Sequence, residues 1–190
     1  MLIESFEKHI KLTDTEKEKA LLYFQSENVL PKTILLHQGE ICNESYFVEN
    51  GVLRSFSEDN NLTQHTLTFA CKGWWISDMY SMFSQKPSQI IIDVLKESEI
   101  KILTRQNREK LLEEMPIFEK YFRILTENSL VANQQRIINK MMLSAEERYQ
   151  KFIEKYGKLA YEIPQKHIAS YIGVTPEFFS KMKAELLRAK

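Results

Sequence analysis

Thr175, Glu177, Ser180 and Lys181, with Ala184 and Arg188 beyond them, recur at helical spacing near the end of a 190-residue chain. Hydroxyls, a carboxylate and an ammonium at that spacing form one polar helix face, whose chemistry is hydrogen bonding and charge pairing rather than bond cleavage. The other reactive side chains are scattered. His9, His37, His65 and His167 have no metal-ligand spacing, and the two cysteines, Cys42 and Cys71, lie far apart and outside any C-x-x-C pair. One chain therefore supplies neither a disulfide framework nor a four-thiolate zinc or iron–sulfur site. Trp74 and Trp75 offer stacking surfaces for an aromatic ligand. Neighbours on a strand face opposite sides, however, so the plainer expectation is that the two indoles pack in different places.

Positioning the polar face requires a particular backbone. In IPQKHIASYIGVTPEFFSKMK, residues 163–183, Ile168, Ala169 and Ile172 share one side of a run from Gln165 to Ile172. Gly173 interrupts it, and Thr175-Pro176-Glu177 restarts a helix as cap, first-turn proline and dipole-favoured acid. Two helices that cross closely need a small residue at the crossing and a turn residue that accepts left-handed angles, the roles of Ala169 and Gly173. Val174, Phe178, Phe179 and Met182 are then expected to lock the second helix onto the first. The polar face is left for solvent or for a major groove. An ordinary helical hairpin would use the same residues, so spacing alone leaves both readings open.

Formal net charge is zero, against a protein coated in positive charge for non-specific nucleic-acid binding. The distribution is uneven: residues 163–190 carry five Lys/Arg and two Asp/Glu, whereas residues 1–162 carry 21 and 24. No apolar run approaches the roughly 20 residues that span a bilayer, and MLIESFEKHIK lacks a signal-peptide apolar region, so a cytoplasmic protein without a membrane partner is expected.

A capping box at Thr13-Asp14-Thr15-Glu16 opens a short helix. From Val29 to Leu103, short β-prone runs alternate with turn residues. Asn50-Gly51 is predicted to be a two-residue hairpin turn, with further turns at Gln38-Gly39-Glu40 and Asp59-Asn60-Asn61. Helix formers then dominate to about Tyr156, with Pro116 starting a new helix. Ile117, Tyr121, Ile124, Asn128, Val131, Gln135, Ile138 and Met142 alternate by four and three, the rhythm of a coiled-coil seam in which Asn128 would set the register. A helix that merely covers the strands with Phe118, Phe122 and Leu125 is the alternative. Ser144 caps a further helix ending near Gly157. The expected fold class is α+β: an antiparallel β-roll with flanking helices over 1–115, a long dimerisation helix over 116–143, and a helix-turn-helix domain over 144–190.

This order of elements, with YFVENGVLRSF, GWWISDMYSMFSQKPSQIIIDVLKESEI and the C-terminal motif, resembles the Crp/Fnr family of bacterial transcription regulators over nearly the whole chain. The resemblance implies a homodimer joined along the long helix and reading palindromic double-stranded DNA, with RNA polymerase and an unidentified small-molecule effector as further partners. It places the base-reading face on Pro176, Glu177, Ser180 and Lys181, beside Thr175. Lys166, His167, Lys183 and Arg188 become phosphate contacts. The effector pocket falls on Trp74, Trp75, Ser77, Asp78 and Ser88. Family members that bind cyclic AMP carry a Gly-Glu pair and, about ten residues on, an arginine for the cyclic phosphate. Here Ser77-Asp78 and Pro87-Ser88 stand in those places, with only Lys86 nearby, so no cyclic-nucleotide binding is expected. Many relatives continue into a β-hairpin wing, whereas this sequence stops at Lys190, so the wing is expected to be short or absent. An enzyme of the cupin kind would need clustered His and carboxylate ligands that His37 and His65 do not supply; no catalytic residue, metal or cofactor is expected.

Overall fold

The computed structural model describes residues 1–188; the last two residues of the expected DNA-binding domain, and any wing beyond them, lie outside the described residues. The elements are α1 (Leu2–Glu7), α2 (Asp14–Leu21), β1 (Gln25–Val29), β2 (Ile34–Leu36), β3 (Glu44–Glu58), β4 (Gln64–Cys71), β5 (Trp75–Ile76), α3 (Met79–Ser84), β6 (Ile91–Thr104), α4 (Arg105–Glu114), α5 (Ile117–Met142), α6 (Ala145–Tyr156), a short 3-10 turn (Gly157–Tyr161), α7 (Gln165–Ile172) and α8 (Pro176–Arg188). The fold is α+β. Two compact units divide it, one of residues 1–57 and 68–128, the other of residues 58–67 and those from 129 on.

In the first unit the sheet runs β1-β6-β3-β4, with β2 also on β6 and β5 also on β3, and the partners of β6 are antiparallel to it. Side-chain alternation sorts the apolar residues into two clusters. Tyr46, Val48, Ile100 and Ile102 belong to one, with Leu36, Leu53, Ala70 and Val94. Phe47 and Leu103, their immediate neighbours in sequence, belong to the other, which α1, α4 and α5 complete through Phe6, Leu111, Phe118, Tyr121 and Phe122. The adjacent indoles separate as alternation predicts: Trp74 packs on the first cluster and Trp75 on the second. Trp75 lies edge-on to Phe47 and Phe122, and its ring N–H donates to the Tyr121 hydroxyl at 2.9 Å.

Tyr121 corrects one expectation. Placed by the heptad rhythm in the self-association seam, it is fully buried within its own unit, where its hydroxyl also meets Ser5 Oγ at 2.7 Å. Burial pushes its phenol pKa up, although the two hydrogen bonds act the other way. A heptad pattern cannot separate a ring facing a partner helix from one facing the chain's own sheet.

Asn50-Gly51 is a second correction. It lies inside β3 rather than at a turn, where the register against β6 shifts on either side of Asn50. Gly51 has φ +98°, and a Cβ there would sit 2.1 Å from Ser98 Oγ and 2.5 Å from the Glu97 carbonyl oxygen. A hairpin turn and a bulge both call for positive φ, so the dipeptide signals either. The continuous ladder to β6 decides for the bulge. The hairpin turn lies at Asp59, whose carboxylate accepts from the Asn61 and Thr63 amides.

Within the sheet, Arg54 and Asp93 stand directly opposite one another on β3 and β6. The guanidinium is almost wholly buried and donates twice, Nε to Oδ1 at 3.0 Å and Nη2 to Oδ2 at 2.6 Å, while lying 3.9 Å over the Phe56 ring. Removing the carboxylate strands a buried cation, so Asp93→Ala is expected to lower unfolding free energy by about 3–5 kcal/mol in urea titrations. A loss below about 1 kcal/mol would mean that water reaches the pair.

Candidate nucleic-acid interface

The polar face of α8 is built by the way α7 ends. Gly173, at φ +80° and ψ 44°, donates to the Ser170 carbonyl, and the Val174 N–H reaches back to the Ala169 carbonyl at 3.0 Å. These two bonds form a Schellman closure, which satisfies carbonyls the helix would leave bare and demands a left-handed residue that glycine supplies without strain. Arg148 of α6 adds a third partner, donating from Nε to the Ile172 carbonyl at 2.7 Å and from Nη1 to the Leu143 carbonyl at 2.6 Å. Thr175 then caps α8, its hydroxyl accepting from the Phe178 amide at 3.2 Å, and Pro176 takes the first helical position, where a missing N–H costs nothing.

Ala169 is completely buried, together with Ile168, Ile172, Phe179 and Met182. Phe179 stands edge-on to Tyr149 of α6 at 5.1 Å, so α6, α7 and α8 share one core. The opposite side of α8 is open: Thr175, Glu177, Ser180, Lys181, Ala184 and Arg188 are all exposed and Lys183 is half-buried. Lys166, in the first turn of α7, is exposed as well. Two expectations fail here. His167 is only 8% exposed, because the first turn of α7 directs it inward with Ile168, so it is not available to a phosphate. Phe178, expected to clamp α8, is 51% exposed, since the buried side of α8 passes through its neighbour Phe179 instead.

One support was illegible in sequence. The tip of the β3–β4 hairpin is held to α7 by Ser170, whose hydroxyl accepts from the Thr66 amide at 2.8 Å and donates to the Gln64 carbonyl at 2.6 Å. Arg136 of α5 donates to the Thr66 carbonyl at 2.9 Å and to the Leu67 carbonyl, with its guanidinium 4.5 Å over the Tyr171 ring. Residues about 70 and 105 apart in sequence meet, and no local pattern announces it.

On α5, Asn128, Val131, Gln135 and Ile138 are exposed, as are Ile117 and Met142, while Ile124 is half-buried. Leu130, Ile137 and Met141, which the heptad reading passed over, are more than 60% exposed and widen the apolar stripe at its C-terminal end. The residues expected to line an effector pocket differ in kind. Asp78 caps α3 by accepting from the Tyr80 and Ser81 amides, and its other oxygen takes the Ser88 hydroxyl at 2.7 Å. Ser77 Oγ donates to the Glu44 carbonyl at 3.0 Å. Asp78 and Ser88 are buried and bonded to each other.

No protein-family model and no curated protein sequence matches the chain. Solved structures do. The chain is similar to the c-di-GMP-responsive global regulator CLP of Xanthomonas campestris, with 12% identity, a TM-score of 0.76 and 93% of each chain covered. It is similar to FixK2 from Bradyrhizobium japonicum at 16% identity and TM-score 0.75, over 87% of this chain and 85% of that one. A transcriptional regulator assigned to the crp/fnr family, from Eubacterium rectale, shares 16% identity at TM-score 0.71 over 94% of this chain and 85% of its own. No helix among the described residues is long and apolar enough to cross a membrane. The chain therefore has the fold of Crp/Fnr-type regulators, a β-roll followed by a long helix and a C-terminal helical unit.

Proposed function

We propose that the chain is a cytoplasmic, non-enzymatic transcription regulator that binds palindromic double-stranded DNA as a homodimer and does not respond to cyclic AMP. The observation that carries this reading is the exposed row Thr175, Glu177, Ser180, Lys181 and Arg188 on a helix whose other side is sealed by Phe179 and Met182. The likeness of the fold to transcription regulators supports it. Glu177 suits the amino group of cytosine and Lys181 the O6/N7 edge of guanine, and each such contact discriminates by about 1–3 kcal/mol. Pro176 has no donor, so the base opposite it is read by shape alone. Lys166, Lys183 and Arg188 serve phosphates, which makes affinity fall with salt.

Self-association rests on the apolar stripe of Leu130, Val131, Ile137, Ile138 and Met141, a row of side chains that a soluble helix does not normally leave in water. Two copies joined there would set half-sites roughly 34 Å apart. Indifference to cyclic AMP rests on Asp78 and Ser88, which satisfy one another instead of a ribose and phosphate. RNA polymerase is the partner through which such a regulator would act.

Selection from a random DNA pool is expected to enrich a palindrome, and Lys181→Ala should relax preference at one base pair of each half-site. An unenriched pool would remove the DNA-binding assignment; equal weakening on all sequences would make Lys181 a phosphate contact. Val131→Glu with Ile138→Glu is expected to halve the mass in sedimentation equilibrium, and a wild-type chain that sediments as a monomer would end the homodimer reading. Calorimetric titration with cyclic AMP should give no saturable heat, whereas micromolar affinity would overturn that part of the proposal.

A further inference from the structure

Helix α3 has six residues, and both of its ends are held. Asp78 caps its start. Gln85, left-handed at φ 54°, closes its end by donating from its amide to the Ser81 carbonyl and from its side chain to the Met82 carbonyl, each at 2.9 Å. Ser81 and Met82 form the inner side: Ser81 Oγ accepts from the Cys42 amide at 2.8 Å and donates to the Lys86 carbonyl at 2.6 Å, and Met82 enters the first apolar cluster. With those two facing in, Met79, Tyr80 and Phe83 are turned to water, 44–57% exposed. A helix pinned at both ends and along one side presents these three side chains already in place, so a partner would pay little to order them.

Beside them stands Arg108 of α4, whose guanidinium lies over the Phe83 ring at 5.3 Å and over the Phe122 ring at 4.9 Å. A ring attracts the cation through its face and leaves the N–H donors in its plane unused. Among the described residues no acceptor takes them. Two carboxylates of the same helix are engaged elsewhere, Glu109 with Arg105 at 3.1 Å and Glu114 with Lys19 at 2.9 Å. Burial disfavours the Arg108 charge and pushes its pKa down, and the charge of Glu109 opposes this only in part. Arg54 of the same unit shows the completed arrangement: Phe56 lies under its guanidinium and the two oxygens of Asp93 take its donors. Arg108 has the rings and lacks the carboxylate. Methionine, aromatic and arginine side chains together are also the composition that marks the energetic centres of protein interfaces.

We propose that Met79, Tyr80, Phe83 and Arg108 form a docking surface for a different protein, which supplies a segment carrying a carboxylate beside a large apolar side chain. The carboxylate takes the in-plane donors of Arg108, and the apolar group covers Tyr80 and Phe83. A small anion alone would leave those side chains in water, so the surface calls for a polypeptide. None of the four residues belongs to the polar face of α8 or to the apolar stripe of α5, so this proposal and the DNA-binding one can fail separately.

The full chain, without DNA, is used to select from a random-peptide library displayed on phage, and a synthetic copy of an enriched peptide is then titrated by fluorescence anisotropy. Enriched peptides are expected to carry Asp or Glu next to Phe, Tyr, Trp or Leu. Changing that acid to its amide in the peptide, or Arg108→Glu in the chain, should weaken binding about tenfold or more. A peptide with Lys in place of the acid should bind the Arg108→Glu chain better than it binds the wild type. Because Arg108 packs on Phe122, circular dichroism checks the fold, and if that variant unfolds, Tyr80→Ser at its exposed position replaces it with the same loss expected. No enrichment, enriched peptides without acids, equal affinity of the acid and amide peptides, or full affinity in the folded variants would each overturn the proposal. A fall in the mass of the chain itself on Tyr80→Ser, measured by sedimentation equilibrium, would overturn it too, because a second copy would then be the occupant.

Discussion

The carbonyl of Ala169 accepts the N–H of Val174, and the direction of α8 depends on that closure. Had α7 continued, Phe179 and Met182 would have no core to enter, and the polar row from Thr175 to Arg188 would have no reason to face outward. A residue with a side chain at Gly173 would strain the left-handed corner, whereas Ala169 supplies the room at the crossing by having almost no side chain. Arg148 secures the same corner from α6 through the Ile172 carbonyl. The exposed face is thus a by-product of what the buried face requires.

Helix α5 shows how one element carries two unlike tasks. Apolar residues fill one side of its C-terminal half and basic or amide residues the other. The first leaves large apolar groups in water, and on the second the Arg136 guanidinium is held against backbone carbonyls and the Tyr171 ring. Large apolar side chains left in water are costly for a helix. The overall charge of zero hides this, since charges are balanced over the chain but segregated on its surface.

In the β-roll the polar groups are spent on the protein itself. Arg54 is committed to Asp93 across two strands, and Asp78 to Ser88 and the start of α3. A buried ion pair or hydrogen-bonded carboxylate that is already satisfied gains little from a ligand and loses much if a partner is withdrawn. The roll thus holds its own polar groups together across strands and at the start of α3.

Much of the architecture was legible in residue order because it rests on local rules. Capping boxes at Thr13 and Ser144, the glycine corner at 173 and the proline start at 176 depend on neighbours within a few positions, and each forms as its residues predict. Trp74, just before β5, and Trp75, within it, enter separate clusters, as the sequence reading expected of the pair. Period and propensity fell short wherever two environments share one pattern. Tyr121 fits a heptad seam and a sheet-facing core equally well, Asn50-Gly51 fits a turn and a bulge, and either Phe178 or Phe179 could have sealed α8. Those choices belong to tertiary structure, because long-range packing decides which side of a helix meets protein, as it decides that Ser170 and Arg136 grip a hairpin tip far away in sequence. By itself the sequence determined which segments are helices or strands and where the chain must turn. Only the folded chain decided which of their faces remain in water, since burial is a property of surfaces brought together and not of residues in order.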